Sequence, residues 1–316
     1  MKKVLVTGAL GQIGTDLVLF LRDVYGEGNV VASSRSRKEG HILCENGIFE
    51  LIDVRDPKSI DEVVSRHKIT DIYHLASILS AVGEGNPQML WDINMNGLYN
   101  VLEVARARKC AVMVPSSIAV FGPGTPLDNT PQDTIMRPST IYGVSKVAGE
   151  LLCDYYYKKY NVDVRGLRYP GLISNAALPG GGTTDYAVHI YYDAIKHKKY
   201  SCFLQEGTYI DMMYMPDAIE GTYMLMQADP AKLKHRNAFN FCAMSFAPED
   251  IAAEIKKIIP EFEITYDIDP IRQAIADSWP NTIDDSAARE EWGWKPKYDL
   301  AAMTKDMIDV LSKKLK

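Results

Sequence analysis

The chain has few cysteines, and the five present (Cys44, Cys110, Cys153, Cys202 and Cys242) are an odd number, widely scattered, with no CxxC pair. That distribution argues against a disulfide framework and fits small buried thiols in a reducing compartment. Ligand spacing is absent too: the six histidines form no HExxH and no Cys/His cluster. His74, in DIYHLAS, reads as a strand end, and no metal is expected. No apolar run approaches the roughly 20 residues of a membrane-spanning helix. Excess positive charge is missing as well. A formal charge of −6 gives no reason to expect nucleic acid or an anionic membrane as partner. The opening MKK runs straight into VLVTGA, leaving no room for a signal or transit peptide, so a cytoplasmic protein is expected.

What is there is alternation. Short β-branched runs at 3–8, 29–34, 48–52, 71–76, 111–116 and 162–168 are separated by helical patterns at 12–25, 57–67, 91–108 and 141–159. Such alternation predicts an α/β fold, a doubly wound parallel sheet of Rossmann type covered by helices on both faces. The ligand is then expected beyond the carboxyl ends of the strands, where strand order reverses. After about residue 175 the pattern loosens into mixed helices and short strands. The expected division is 1–175 as a dinucleotide-binding domain and 176–316 as mainly a smaller substrate-binding lobe, with some segments packing back on the first domain.

The first strand runs into VLVTGALGQIG. Gly8, Gly11 and Gly14 suit a tight turn that lets backbone approach a pyrophosphate and lets helix meet strand closely. With Gln12 and Ile13 they open a helix whose free N–H groups and positive end attract phosphate. A turn that merely packs a helix would look similar, but the position at the first strand–helix junction favours the dinucleotide. The second strand ends VVASSRSRKEG. Ser34 stands where an acidic residue would bind the adenosine ribose, and Arg35 and Arg37 follow, which favours NADP or dual use. A solvated basic loop would read the same way. Asp53, in LIDVRD, is placed either to meet the adenine edge or to cap a helix.

Tyr142 and Lys146, in STIYGVSKVAGELL, are four apart and share a helix face. A phenol of pKa about 10 needs roughly 3 units of depression, about 4 kcal/mol, to act as a base near neutrality. A neighbouring ammonium and the positive charge of an oxidised nicotinamide both favour phenolate. Lys146 can also hold ribose hydroxyls. Ser117, in VPSSIAVFG at the end of the preceding strand, can hydrogen-bond the reacting oxygen, with Ser116 as its neighbouring competitor. A YxxxK pair alone is often a surface pair; the serine and the upstream glycines give it a hydride-transfer reading.

These motifs, together with DINMNGLYNVLEVA, resemble the extended short-chain dehydrogenase/reductase family. More narrowly, PSSIAVFGP, RYPGLIS, PGGGTTDYAVHIYY, MMYMPDAI and DSWPNTIDDSAAREEWGW resemble the L-threonine 3-dehydrogenases within it, over essentially the whole chain. The resemblance implies an NAD-dependent oxidation of L-threonine at its secondary alcohol to 2-amino-3-oxobutanoate. It implies Tyr142 as base, Ser117 on the substrate hydroxyl and Lys146 assisting. Asn94 would order the cofactor side, with Val54, Leu75, Ala76 and Leu172 as further cofactor contacts. Ser80, Thr184 and Asp185 would recognise the amino acid's charged ends, although Thr184 and Asp185 also read as an ordinary capping pair. The subgroup usually carries aspartate where Ser34 stands. A nucleotide-sugar epimerase or dehydratase shares the front half, but YIDMMYMPD has no arginine for a nucleotide. A non-catalytic dinucleotide-binding regulator could dispense with the serine, tyrosine and lysine that this chain keeps. A homodimer through the helices near 91–108 and 141–159 is expected, with a monomer as the alternative.

Overall fold

The computed structural model describes residues 2–176 and 182–315. It divides into two compact units, each discontinuous in sequence. The first comprises Met1–Ser117, Thr140–Arg168 and Thr222–Phe239; the second comprises Ile118–Ser139, Tyr169–Gly221 and Asn240–Lys316.

A seven-stranded sheet forms the centre of the first unit. Its strands are β1 (Val4–Thr7), β2 (Val30–Ser34), β3 (Ile48–Leu51), β4 (Asp71–His74), β5 (Ala111–Ser117) and β6 (Val164–Tyr169), with Phe239–Asn240 at one edge. The spatial order is Phe239–Asn240, β6, β5, β4, β1, β2, β3. β1 pairs in parallel with β2 and with β4, β2 with β3, and β4 with β5. All six expected strands are therefore present, and the doubly wound fold is the observed one. Side chains of β1 and β4 are buried throughout, as they must be in a sheet covered on both faces. Strand order turns back between β1 and β4, which puts the switch-point crevice beside the turn after β1.

The helices follow from local signals. Pro57–His67 starts with Asp56 accepting from the Lys58 N–H and a proline in its first turn, and ends at Lys68 with φ 55°. Ile141–Tyr160 starts with Thr140 Oγ1 accepting from the Gly143 N–H at 3.0 Å and ends at Asn161 with φ 54°. The expected helix at 91–108 is more complex. It runs through Pro87–Trp91, a π turn at Asp92–Asn96 and then Gly97–Arg108. Val101, Leu102 and Ala105 of that helix are fully buried with Leu5, Ile72 and Val112 of the sheet. Each valine, leucine or isoleucine among them contributes about 1.5–3 kcal/mol by leaving water.

The second unit holds a three-stranded sheet, Met244–Phe246, Ile210–Tyr214 and Gly171–Ile173, and a parallel pair, Lys199–Cys202 with Glu263–Tyr266. Helices Tyr186–His197, Pro248–Ile258 and Leu300–Lys314 pack on one another there. All five cysteines are free thiols. Among the described residues no helix is long and apolar enough to cross a membrane, and no group of three or more His, Cys, Asp or Glu side chains could hold a metal ion.

Candidate active site

The turn after β1 is built so that backbone lies against backbone. Gly8 has φ 69°, and a Cβ there would sit 2.6 Å from the Ala76 nitrogen. At Gly14 a Cβ would meet the Gly8 oxygen at 2.5 Å and the Ala9 Cα at 2.7 Å. Only glycine fits either position. The Gly11 N–H donates to the Gly8 carbonyl at 3.1 Å, and Gly11 caps Gln12–Tyr25 without any side-chain bond to that helix end. The first-turn N–H groups are thus left for an incoming anion. Gln12 Nε2 is buried with no partner, and Ile13 is half-buried beside it. On the other side of the crevice, the Leu75 N–H donates to the Thr7 carbonyl at 3.1 Å and the Ala76 N–H reaches Thr7 Oγ1 at 3.5 Å. The glycine cradle, the unfilled helix end and the orphaned amide together fit a dinucleotide pyrophosphate.

Beneath this crevice, Thr7 Oγ1 and His74 Nδ1 are 2.9 Å apart and buried. Burial, with the Lys146 charge adding to it, pushes His74 down to about 3, so the imidazole stays neutral.

Tyr142 lies in the first turn of Ile141–Tyr160 and is 9% exposed. Lys146 follows one turn later, with Nζ 5.4 Å from the centre of the Tyr142 ring and donating to the Pro115 carbonyl at 2.9 Å. Ser117 ends β5, and its hydroxyl hydrogen-bonds the Tyr142 phenol. Ser116 takes another course: its Oγ donates to Glu150 Oε1 at 2.5 Å, and Glu150 also accepts from Arg168 at 3.0 and 2.9 Å. Alternation along the strand sends adjacent serines to opposite faces, which separates the two competitors. Glu150 was missed in the sequence reading, although its signal was visible. It stands four residues after Lys146, which itself stands four after Tyr142, so all three share one stripe of the helix.

In the chain by itself, burial pushes Tyr142 up to about 12, and the Ser117 bond offsets this only in part. Burial likewise brings Lys146 down to about 8, opposed by the nearby Glu150 carboxylate. Desolvation penalises both charged forms, and the ammonium alone does not compensate the phenolate.

Asn94, buried in the π turn, accepts from the Ile78 N–H at 2.8 Å and donates to the Ile78 carbonyl at 3.1 Å. Its Nδ2 also reaches Ser145 Oγ at 3.5 Å, and Ser145 donates to the Tyr142 carbonyl at 2.7 Å. It braces the segment after β4 against the helix of Tyr142. Ser80 is the first residue of the short helix Ser80–Gly85. Glu84 of that helix accepts from the Ile141 N–H at 2.8 Å, tying it to the start of the Tyr142 helix.

At the far end of the sheet, Ser34 is half-buried and its carbonyl accepts from the Ile52 N–H at 3.0 Å, while Arg35 is exposed. Asp53 does not cap the next helix, a role taken by Asp56. Both Asp53 oxygens accept from Arg55, at 3.0 and 2.6 Å, and this pair holds the carboxyl below its usual range. Val54 points into the apolar core, where a Cβ on Gly97 would lie 2.8 Å from it.

Leu172, Thr184 and Asp185 belong to the second unit. Leu172 pairs with Met213 in its three-stranded sheet. Thr184 packs against Gly171, whose Cβ would lie 2.7 Å from its methyl. Asp185 is buried and accepts from the Gly182 N–H at 2.5 Å, so it serves at least as a cap. The expected PGGGTTDY loop begins among residues 177–181, which lie outside the described ones.

Residues 4–242 match the model of the NAD dependent epimerase/dehydratase family. An uncharacterized epimerase/dehydratase of Staphylococcus saprophyticus is 54% identical, with 100% of this chain and 99% of that protein covered. An L-threonine dehydrogenase from Clostridium difficile is 58% identical, covering 99% of this chain and 98% of its own, with a TM-score of 0.98. A monomeric L-threonine 3-dehydrogenase from a metagenome is 47% identical, covering 99% of this chain and 100% of its own, with a TM-score of 0.94.

Proposed function

Since the chain belongs to the NAD dependent epimerase/dehydratase family, and so uses a nicotinamide dinucleotide, we propose that it oxidises the secondary alcohol of L-threonine, with NAD as hydride acceptor, to 2-amino-3-oxobutanoate. The observation that carries this reading is the Ser117–Tyr142–Lys146 set, within the same compact unit as the glycine turn. The likeness to threonine dehydrogenases over whole chain lengths supports the substrate.

In this reading Ser117 and Tyr142 share the substrate hydroxyl between them. Tyr142 accepts its proton, and Ser117 holds the oxygen at the right angle to the phenol. Lys146 acts as the ammonium in this reading, donating to the Pro115 carbonyl at 2.9 Å. Its Pro115 bond keeps that charge beside the ring. The bound oxidised nicotinamide supplies the hydride acceptor and a positive charge. Gly8, Gly11, Gln12, Ile13 and Gly14 take the pyrophosphate, with Leu75, Ala76, Asn94 and Leu172 towards the nicotinamide and Ser34, Arg35, Asp53 and Val54 towards the adenosine. Ser80, Thr184 and Asp185 take the substrate's carboxylate and ammonium. The β-keto acid product loses carbon dioxide unaided.

A homodimer through the helices Gly97–Arg108 and Ile141–Tyr160 goes with this reading. Their solvent side carries Tyr99, Leu151 and Tyr155 at 50%, 61% and 45% exposure, which light scattering of the purified chain tests directly. Free cysteines throughout agree with a cytoplasmic setting.

The function is tested by following formation of reduced nicotinamide with L-threonine, L-serine and a UDP-sugar. The expected result is turnover with threonine, weak or absent turnover with serine and none with the nucleotide sugar. Preference for the UDP-sugar would overturn the proposal.

A further inference from the structure

The loop leaving β2 carries Arg35, Arg37 and Lys38 before its first carboxylate, Glu39. The two arginines differ in what they are free to do. Arg37 is committed: it donates to the Cys44 carbonyl at 3.1 Å and lies 5.2 Å from the centre of the Phe49 ring. Arg35 is exposed and makes no hydrogen bond or ion pair among the described residues. Its charge reaches Asp53 only as the smallest of several influences on that carboxyl. Both Asp53 oxygens are instead engaged by Arg55.

The loop is also anchored where it matters. His41 Nε2 lies 3.4 Å from Thr15 Oγ1 on Gln12–Tyr25, and His41 Nδ1 accepts from the Leu43 N–H at 3.3 Å. The Ala9 N–H of the glycine turn donates to the Ser33 carbonyl at 2.9 Å. Ser34 and Arg35 therefore follow directly on the strand end that abuts the phosphate turn, with no carboxylate of their own and one unengaged guanidinium.

A carboxylate at this strand end accepts hydrogen bonds from ribose hydroxyls and repels a 2′-phosphate; a hydroxyl and a guanidinium do the reverse. We infer that the Ser34–Arg35 edge receives the 2′-phosphate of a phosphorylated dinucleotide, so that NADP(H) enters the same site as NAD(H). Arg35 supplies a two-point donor for the phosphate oxygens, and Ser34 a hydroxyl donor beside it. The inference rests on the glycine turn being the dinucleotide site and is independent of the substrate oxidised.

The test is calorimetric titration of the full chain with ADP and with 2′,5′-ADP, fragments that carry no nicotinamide and need no turnover. Fluorescence titrations with NADH and NADPH accompany it. Wild-type protein is expected to bind 2′,5′-ADP at least as tightly as ADP. Arg35→Ala is expected to weaken 2′,5′-ADP by about 10-fold or more while leaving ADP within about 2-fold. Ser34→Asp is expected to weaken 2′,5′-ADP further and to leave or strengthen ADP. Binding of ADP and NADH without 2′,5′-ADP or NADPH would overturn the inference, as would an Arg35→Ala variant that binds 2′,5′-ADP unchanged. Failure of threonine oxidation in the separate turnover assay would leave the titrations standing, so the two readings fail distinguishably.

Discussion

The Lys146 ammonium lies 5.4 Å from the centre of the Tyr142 ring, yet burial holds the phenol at about 12. The positive charge of a bound oxidised nicotinamide would favour the phenolate further. Because the base form does the work, kcat for threonine oxidation should rise as pH is raised above neutrality. Lys146→Met should move that limb to higher pH. A profile flat across this range would contradict the assignment.

The glycine turn makes a sharper structural prediction. Gly14→Ala must push its methyl into the Gly8 oxygen and Ala9 backbone, neither of which is a flexible side-chain tip. Dinucleotide affinity should fall by about 10-fold or more, with a stability loss of about 1–3 kcal/mol. Gly8→Ala adds a left-handed φ of 69° to its clash with Ala76 and should be at least as damaging. Fluorescence titration with NADH and chemical denaturation read both effects.

Glu150 ties the strand of Ser117 to the helix of Lys146 through Ser116 and Arg168. The Arg168 and Glu150 side chains are each only 6% exposed. Replacing Glu150 by Ala removes the carboxylate from a buried guanidinium and should cost about 3–5 kcal/mol in urea denaturation. The double variant Glu150→Met, Arg168→Met should recover much of that loss, because no charge is then left buried.

Asp211 gives a pH-dependent stability of unusual sign. It is 2% exposed, its Oδ2 has no partner, and burial raises it to about 8, opposed by the Ile283 N–H and assisted by the Asp285 charge. The folded state therefore holds this proton more tightly than the unfolded chain does. Its protonated form is compatible with full stability at low pH, and stability declines as pH rises from about 4 through 8. Asp211→Asn keeps an acceptor for Ile283 and removes the charge. The variant should gain about 3–6 kcal/mol over wild type at pH 8, with little gain at pH 4. Equal stability of the two proteins at both values would count against the buried, protonated carboxyl.

Much of this molecule could be read before any coordinates. The six strands and the glycine turn were legible because buried parallel strands and backbone-to-backbone contacts leave strong local marks, as in VLVTGALGQIG. Tyr142, Lys146 and Ser117 were legible for the same reason: two lie on one helix face and the third ends a strand. The π turn at Asp92–Asn96 was not, since a single inserted residue hardly disturbs helical periodicity. The two-residue strand Phe239–Asn240 is too short to show a period at all. Pairings between distant segments were equally hidden. Ser116 with Glu150 and Arg168 is a tertiary arrangement of residues that look unremarkable one by one, and the Arg55 clamp on Asp53 competes with a role that sequence position alone suggested. The burial that raises the Tyr142 phenol is likewise a tertiary property that sequence does not quantify.

The most direct measurement compares wild type with Tyr142→Phe in two readings on the same preparations: initial rate of reduced-nicotinamide formation from L-threonine, and equilibrium binding of NADH. The phenylalanine variant should bind NADH within about 3-fold of wild type while turnover falls by about 100-fold or more. Threonine oxidation at a rate comparable to wild type would contradict the account.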